Sequence, residues 1–311
     1  MEEIENNLSS QSEYDKNHSI VAIITSTSQA DTFCNTYNHA NGYNGLKLGQ
    51  RVYIGDGTYN INWYIAGFDC EYNTVAADGT VKSNGYGICL IPETYVTEAN
   101  WNSNGSYAIN SFMPSVSSFP HTSYKQSTMH TSTLPTVASK LRSVLGNHLI
   151  NRNVLLGSRV NLTYTPTSTN INGTNAYTWT TAYCTLLSPK QITGTYFSRK
   201  YTNGSDGQYS YTPPEYSSNK YDDGEANYKL PLFNYEKASM GTAYWTRAHA
   251  GIEAFRPTDP DWDGTIRTAE QVWYVFADVI GSVAAQMHPT YNIWNNTDTG
   301  KGAVRPMIYI R

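Results

Sequence analysis

The chain has 311 residues, 39% of them hydrophobic and only 15% charged, with a formal net charge of −4. That length suffices for one large domain or two small ones with a sizeable buried core. The acidic balance, without a clustered Lys/Arg stripe, argues against nucleic acid as a partner, and no apolar run reaches the roughly 20 residues of a membrane-spanning helix, so no membrane insertion is expected.

Residues 1–19 are polar, acidic and without periodicity, which predicts a flexible arm for attachment to a particle or partner. This start lacks the basic and apolar regions of a secretory leader. The protein is therefore expected to be made in a cytosol and to reach the outside by assembly onto a phage particle released on lysis.

Residues 20–311 predict a single β-rich domain. Compact β-branched runs occur at 20–24, 51–54, 62–66 and 87–91, separated by Gly, Asp and Asn, and they read as consecutive strands of a sheet. Asp56-Gly57 and Asp78-Gly79 supply turns where positive φ is cheap. In LPTVASKLRSVLGNHL, residues 134–149, Leu134, Val137, Leu141, Val144 and Leu145 fall on one helical stripe. Thr133 before Pro135 can start this amphipathic helix and Gly146 can end it.

From residue 164 to 228 the chain is rich in Asn, Thr, Gly, Ser and Tyr, interrupted by an apolar stretch at 179–187 that is expected to anchor in the core. Residues 199–229 read as a long inserted loop. Strand-like runs follow at 243–247, 272–277, 282–285 and 304–310, with residues 278–281 as a hairpin connection.

The 26 tyrosines, against 8 Phe and 7 Trp, provide side chains that pack an apolar body and still hydrogen-bond at the tip. Such surfaces suit recognition. Cys34, Cys70, Cys89 and Cys184 show no CxxC or Cys/His ligand spacing and are expected to be buried free thiols.

Three short motifs arrive in order: LLSPKQI at residues 186–192, YWTR at 244–247 and GAVRP at 302–306. This order resembles a family of uncharacterised domains in Firmicutes and their phages that carries an LLS, YW(L/T)RS and GxVRP pattern. That family in turn is similar, distantly, to the C-type-lectin-like fold, and the resemblance spans roughly residues 46–311. It implies an α+β, mainly β domain with mixed sheets, one or two helices and long polar loops. The Glu-Pro-Asn and Gln-Pro-Asp tripeptides of calcium-dependent lectins are absent, as is a late cysteine pair like that of the formylglycine-generating enzymes. Neither chemistry is carried over. Trp245 with Arg247, and Arg305 before Pro306, read first as structural residues.

One segment has metal-ligand spacing: DPDWDGTIRTAE, residues 259–270, matches the D-x-D-x-D-G loop with Glu five residues after its Thr. Asp259, Asp261 and Asp263 would offer hard oxygen ligands, Thr265 a carbonyl and Glu270 a bidentate carboxylate for calcium. Pro260 and Arg267 are awkward neighbours, and an Asp-rich solvated turn that happens to match is the stronger of the two readings. No cofactor is otherwise required.

Trp262, Tyr291, Trp294, Asn295 and Asn296 are residue types that recognition loops favour, and they are the expected receptor contacts. Trp101, Trp262 and Trp294 could serve as sugar platforms. The acidic trio Asp222, Asp223 and Glu225 sits in a polar loop without apolar neighbours to tune a pKa.

The expectation is a non-enzymatic virion structural protein, such as a head fibre, head decoration or tail adhesin. Its partners would be other virion proteins, further copies of itself (a homo-oligomer such as a trimer) and a host-surface glycan. A bacterial carbohydrate-binding adhesin is the alternative, and a cell-envelope polysaccharide hydrolase the third reading.

Overall fold

The early β-branched runs meet the end of the chain in one sheet in the computed structural model, which describes residues 14–55, 60–76, 79–94, 96, 129–157, 177–188, 191–192, 228–236, 244–249, 272–275, 287–289 and 304–311. The described chain is α+β and mostly sheet.

Strands β1 (Ile20–Ile24), β2 (Arg51–Gly55), β3 (Asn60–Phe68), β6 (Ile88–Pro92), β9 (Cys184–Leu186) and β13 (Pro306–Ile310) form the main sheet, in the order β1-β2-β3-β6-β13-β9. Only β1 and β2 are parallel; the other pairs are antiparallel. Smaller sheets pair β4 (Asn73–Val75) with β5 (Val81–Ser83), and β7 (Arg152–Gly157) with β8 (Tyr177–Ala182). A third joins β10 (Tyr244–His249), β11 (Val272–Val275) and β12 (Met287–Pro289).

The parallel β1–β2 pair needs a crossover, and helix α1 (Thr27–Thr36) supplies it. The sequence reading has no helix here, because only Ala30, Phe33 and Cys34 are buried on it, too short a stripe to show periodicity. Its start is nonetheless well specified. The Ser26 side chain accepts from Gln29 N, while Gln29 Oε1 accepts from Thr25 N at 2.7 Å, a local box that satisfies amides at the helix entrance.

Helix α2 (Leu134–Leu145) lies where the apolar stripe places it, with all five stripe residues buried. Gly146, at φ 57°, ends it as expected. Thr133 differs from expectation: its backbone is already helical and its side chain caps nothing, because the π-helical turn Met129–Thr133 leads directly into the helix.

Both faces of the main sheet are buried at its middle strands, with Ile20 and Ile23 of the edge strand β1 left exposed, and side-chain alternation sorts the faces. On β6 and β13, Ile88, Leu90, Ile308 and Ile310 join the α1/α2 core, whereas Cys89, Ile91, Met307 and Tyr309 join a second core with Leu187, Ile192, Leu230, Leu232 and Phe233. On β3 the first face takes Ile61, Trp63 and Ile65 and then Phe68. The even-numbered Phe68 reaches that face because a bulge between Ile65 and Gly67 inserts Ala66 as an extra residue.

Tyr14–Ser19, expected to belong to the arm, is packed on this body. Tyr14 bridges Leu48, and its ring stacks on Tyr235 with centroids 4.9 Å apart. The apolar stretch at 179–187 is anchored as expected, with Cys184, Leu186 and Leu187 buried. The Asp56-Gly57 turn, Asp78, most of residues 199–229 and the runs at 278–285 lie outside the described residues. Among the described residues, no helix is long and apolar enough to cross a membrane.

Candidate functional site

Three rings stand stacked at the surface where β3 leaves the main sheet. His39 lies on Tyr86 with centroids 3.5 Å apart and 6° between planes, and Tyr86 lies on Tyr72 at 4.3 Å and 13°. Tyr86 keeps 44% of its surface exposed. Aromatic rings placed in water bury apolar area mainly against one another, so the core does not need this ladder. Its rigidity comes from what holds each ring.

His39 opens the short helical turn His39–Gly45, in which Gly42, Tyr43 and Asn44 all have left-handed backbones, with φ of 60°, 57° and 48°. For Tyr43 and Asn44 that conformation costs roughly 1–2 kcal/mol each. The return is that the Tyr43 ring is buried, 4.7 Å from Phe68, and its hydroxyl donates to Asp69 Oδ1. Burial, reinforced by the Asp69 carboxylate, pushes the Tyr43 phenol well above its ordinary range. It therefore remains a neutral donor at any physiological pH.

Asp69, itself left-handed at φ 56°, is clasped from both sides. Its amide donates to Gly87 O at 2.8 Å, and Gly87 N donates back to its Oδ1 at 2.9 Å. The other carboxylate oxygen accepts from His39 Nδ1 at 2.8 Å, which fixes the ring's orientation. Tyr72 is placed by a turn in which its amide donates to Asp69 O at 3.0 Å.

Beside that turn, Glu71 points inward to a buried hub. Arg152, fully buried, pairs with Glu71 through Nη1 and Oε2 at 3.1 Å, and its Nη2 donates to Thr185 Oγ1 at 3.0 Å. The Tyr228 hydroxyl donates to Glu71, and Gln191 Nε2 approaches Glu71 Oε1 at 3.3 Å. Arg152 Nε has no hydrogen-bond partner among the described residues, so the hub rests on the ion pair and the Nη2 bonds, and losing one partner of such a buried pair costs about 3–5 kcal/mol. The hub thus fixes residue 71 and, through the chain, the neighbouring Tyr72.

Tyr86 sits between two glycines that must be glycines. Gly85 has a left-handed backbone, φ 77°, that would strain any other residue, and a Cβ on Gly87 would lie 2.6 Å from Ile310 O. Tyr86 is therefore held on a loop pressed against the last strand. The neighbouring Tyr72 phenol pushes the Tyr86 phenol up.

Of the three short motifs, LLSPKQI contributes to this support. Ser188 and Gln191 of LLSPKQI cap each other, Ser188 N donating to Gln191 Oε1 at 3.0 Å and Gln191 N to Ser188 Oγ at 3.1 Å, and Gln191 reaches the hub. Arg305, expected to be structural, is buried, donates to Pro92 O at 3.2 Å and lies 5.7 Å from the Phe233 ring. Trp245 and Arg247 lie in β10, their side chains outside the described residues.

The calcium-loop residues Asp259, Asp261, Asp263, Thr265 and Glu270 lie outside the described residues. So do the receptor contacts Trp262, Tyr291, Trp294, Asn295 and Asn296, together with Trp101 and the acidic trio at 222, 223 and 225. Among the described residues no group of three or more His, Cys, Asp or Glu is gathered to hold a metal ion.

The ladder residues His39, Asp69, Tyr72 and Tyr86 escaped the sequence reading. The available signal was the Gly-Tyr-Gly bracket at 85–87, where a left-handed glycine and a close-approach glycine flank an aromatic. Chemically the ladder offers ring edges, hydroxyls and one oriented imidazole nitrogen on a fixed base, which is equipment for binding. No family model matches the chain, and neither a curated protein nor a solved structure is significantly similar to it.

Proposed function

We propose that this chain is a bacteriophage virion structural protein, a head fibre, head decoration or tail adhesin. Its β-rich, C-type-lectin-like domain attaches the particle to a glycan of the host surface through the Tyr72–Tyr86–His39 ladder. The observation that carries the binding reading is the ladder itself, exposed, stacked and pinned through Asp69, Gly87 and the buried hub. Preorganised aromatics bind with little ordering cost. The Tyr-, Asn- and Thr-rich composition supports a recognition surface, and the motif order supports the lectin-like and phage assignment. A homo-oligomer such as a trimer would convert weak single contacts into avidity.

The test is a cell-wall pull-down and glycan array with the full chain and Tyr86→Ala. The variant removes the middle ring at an exposed site, so the melting temperature is expected to stay within a degree or two while glycan or cell-wall binding falls at least tenfold. Equal binding by both proteins, or none by the wild type, overturns the ladder's role. Antibody labelling of intact particles decides the setting: label on a virion is expected, and label confined to a bacterial surface would replace the virion by an adhesin of the cell itself.

A further inference from the structure

A second concave feature lies away from the ladder, between α2 and the bend at Tyr183 that links β8 to β9. Ala138, Ser139 and Arg142 lie on one side of α2 at helical spacing, and they face Asn151, Thr181 and Tyr183 across a cavity of about 370 Å3. Small-ligand pockets run from about 300 to 1,000 Å3. That volume suits one ring-sized ligand. Its floor is apolar, with Leu134 and Ala138 buried, and its mouth is polar.

The mouth is rich in donors. The Arg142 guanidinium lies 4.7 Å from the centre of the Tyr183 ring, and no carboxylate pairs with it among the described residues. A guanidinium laid on an aromatic face keeps its N–H fork free in its own plane. Asn151 Nδ2 donates to Thr181 Oγ1 at 3.3 Å, which orients both side chains and leaves the threonine proton and a second amide proton to give. The Ser139 hydroxyl adds another at the helix edge. A pocket with one fixed cation and several donors over an apolar floor selects a ligand with one negative charge, several oxygens and a ring face. The planar monoanion that matches a single guanidinium fork is a carboxylate.

We propose that this cleft binds a single carboxylated sugar unit, with Arg142 forked on the carboxylate and Asn151, Thr181 and Ser139 meeting ring oxygens. This site is independent of the ladder, and either can fail without the other.

Titration calorimetry on the full chain tests it, using glucuronic, galacturonic and N-acetylneuraminic acids as probes with glucose and inorganic phosphate as controls. At least one of the acids is expected to bind at millimolar concentration or better, and glucose at least tenfold more weakly. Arg142→Gln, at an exposed position, should lose at least tenfold in affinity with an unchanged melting temperature. Ser139→Trp, which fills the cleft from its rim, should abolish binding, and Tyr86→Ala should leave it intact. Silence from all three acids, or equal binding by Arg142→Gln, overturns the proposal. Phosphate binding as tightly as the acids overturns the carboxylate assignment, and loss of acid binding in Tyr86→Ala moves the ligand to the ladder.

Discussion

Gly87 carries more of the candidate site than any side chain does. Its amide and carbonyl clasp Asp69, and its missing Cβ lets Ile310 O and the Tyr309 ring approach to distances that a methyl group would occupy. Gly87→Ala therefore forces apart the loop and the last strand, an overpacking cost of about 1–3 kcal/mol. It should lower the urea midpoint and, by moving Tyr86, weaken glycan binding as well; an alanine variant as stable as wild type would show that the contact yields without cost. Residue by residue, little of this could be read beforehand. Histidine 39, Asp69 and Tyr72 are separated by up to 33 positions and meet only because β3 and the turn after it bring them beside the 85–87 loop. Buried polar residues are equally silent in sequence: Arg152 and Glu71 look like ordinary surface charges until β7 and the turn at 69–72 place them face to face.

Elements with strong periodicity were legible, and those without it were not. Helix α2 shows five stripe positions and lies where they fall, whereas α1 shows three and is held by its capping residues and its place in the crossover. Strands β1, β2, β3, β6, β10, β11 and β13 were legible as β-branched or aromatic runs, whereas the short or polar β4, β5, β7, β8, β9 and β12 were not, and neither was the strand order, because β13 inserts between β6 and β9 from more than 100 residues away. The end of the arm illustrates a third case, a polar segment ordered by local hydrogen bonds. Asp15 accepts from Asn17 N at 2.9 Å and from Ser19 N at 3.0 Å, and the Ser19 hydroxyl also donates to it. That hydroxyl, with the two amides, holds the Asp15 carboxyl at about 2 against an ordinary 3.8. Because the folded value is the lower one, the contribution is complete above 3.8 and disappears as pH falls toward 2. An NMR titration of the Ser19 amide is expected to show a midpoint near 2, and Asp15→Asn should abolish the transition and loosen Tyr14 from Leu48. A midpoint at the ordinary value would mean that the turn does not hold the carboxylate.

At the scale of the whole molecule, the main sheet is a wall shared by two cores, and this sharing predicts how the protein unfolds. The middle strands β6 and β13 send alternate residues to opposite faces, so neither core can be dismantled while the strands that line the other stay fully packed. The cysteines report on both sides. Cys34 and Cys184 belong to the helix-covered core and Cys89 to the second, and all three are buried; burial pushes the Cys34 and Cys184 thiols up to about 12 and the Cys89 thiol well above its usual value. Since the thiolate is the reactive form, none of the three should react in the native protein, and each should label only through opening. If the shared wall makes the two cores one cooperative unit, labelling by iodoacetamide in rising urea, read site by site by mass spectrometry, gives one midpoint for Cys34, Cys89 and Cys184. The half-buried Cys70 should label earlier than the three. Were Cys89 to label at lower urea than Cys34 and Cys184, the second core would open alone, and with it would go the Gln191 and Tyr228 contacts that steady Glu71 beneath the ladder. Binding through the ladder would then fail before the protein unfolds, whereas the cleft beside α2 would still hold its ligand.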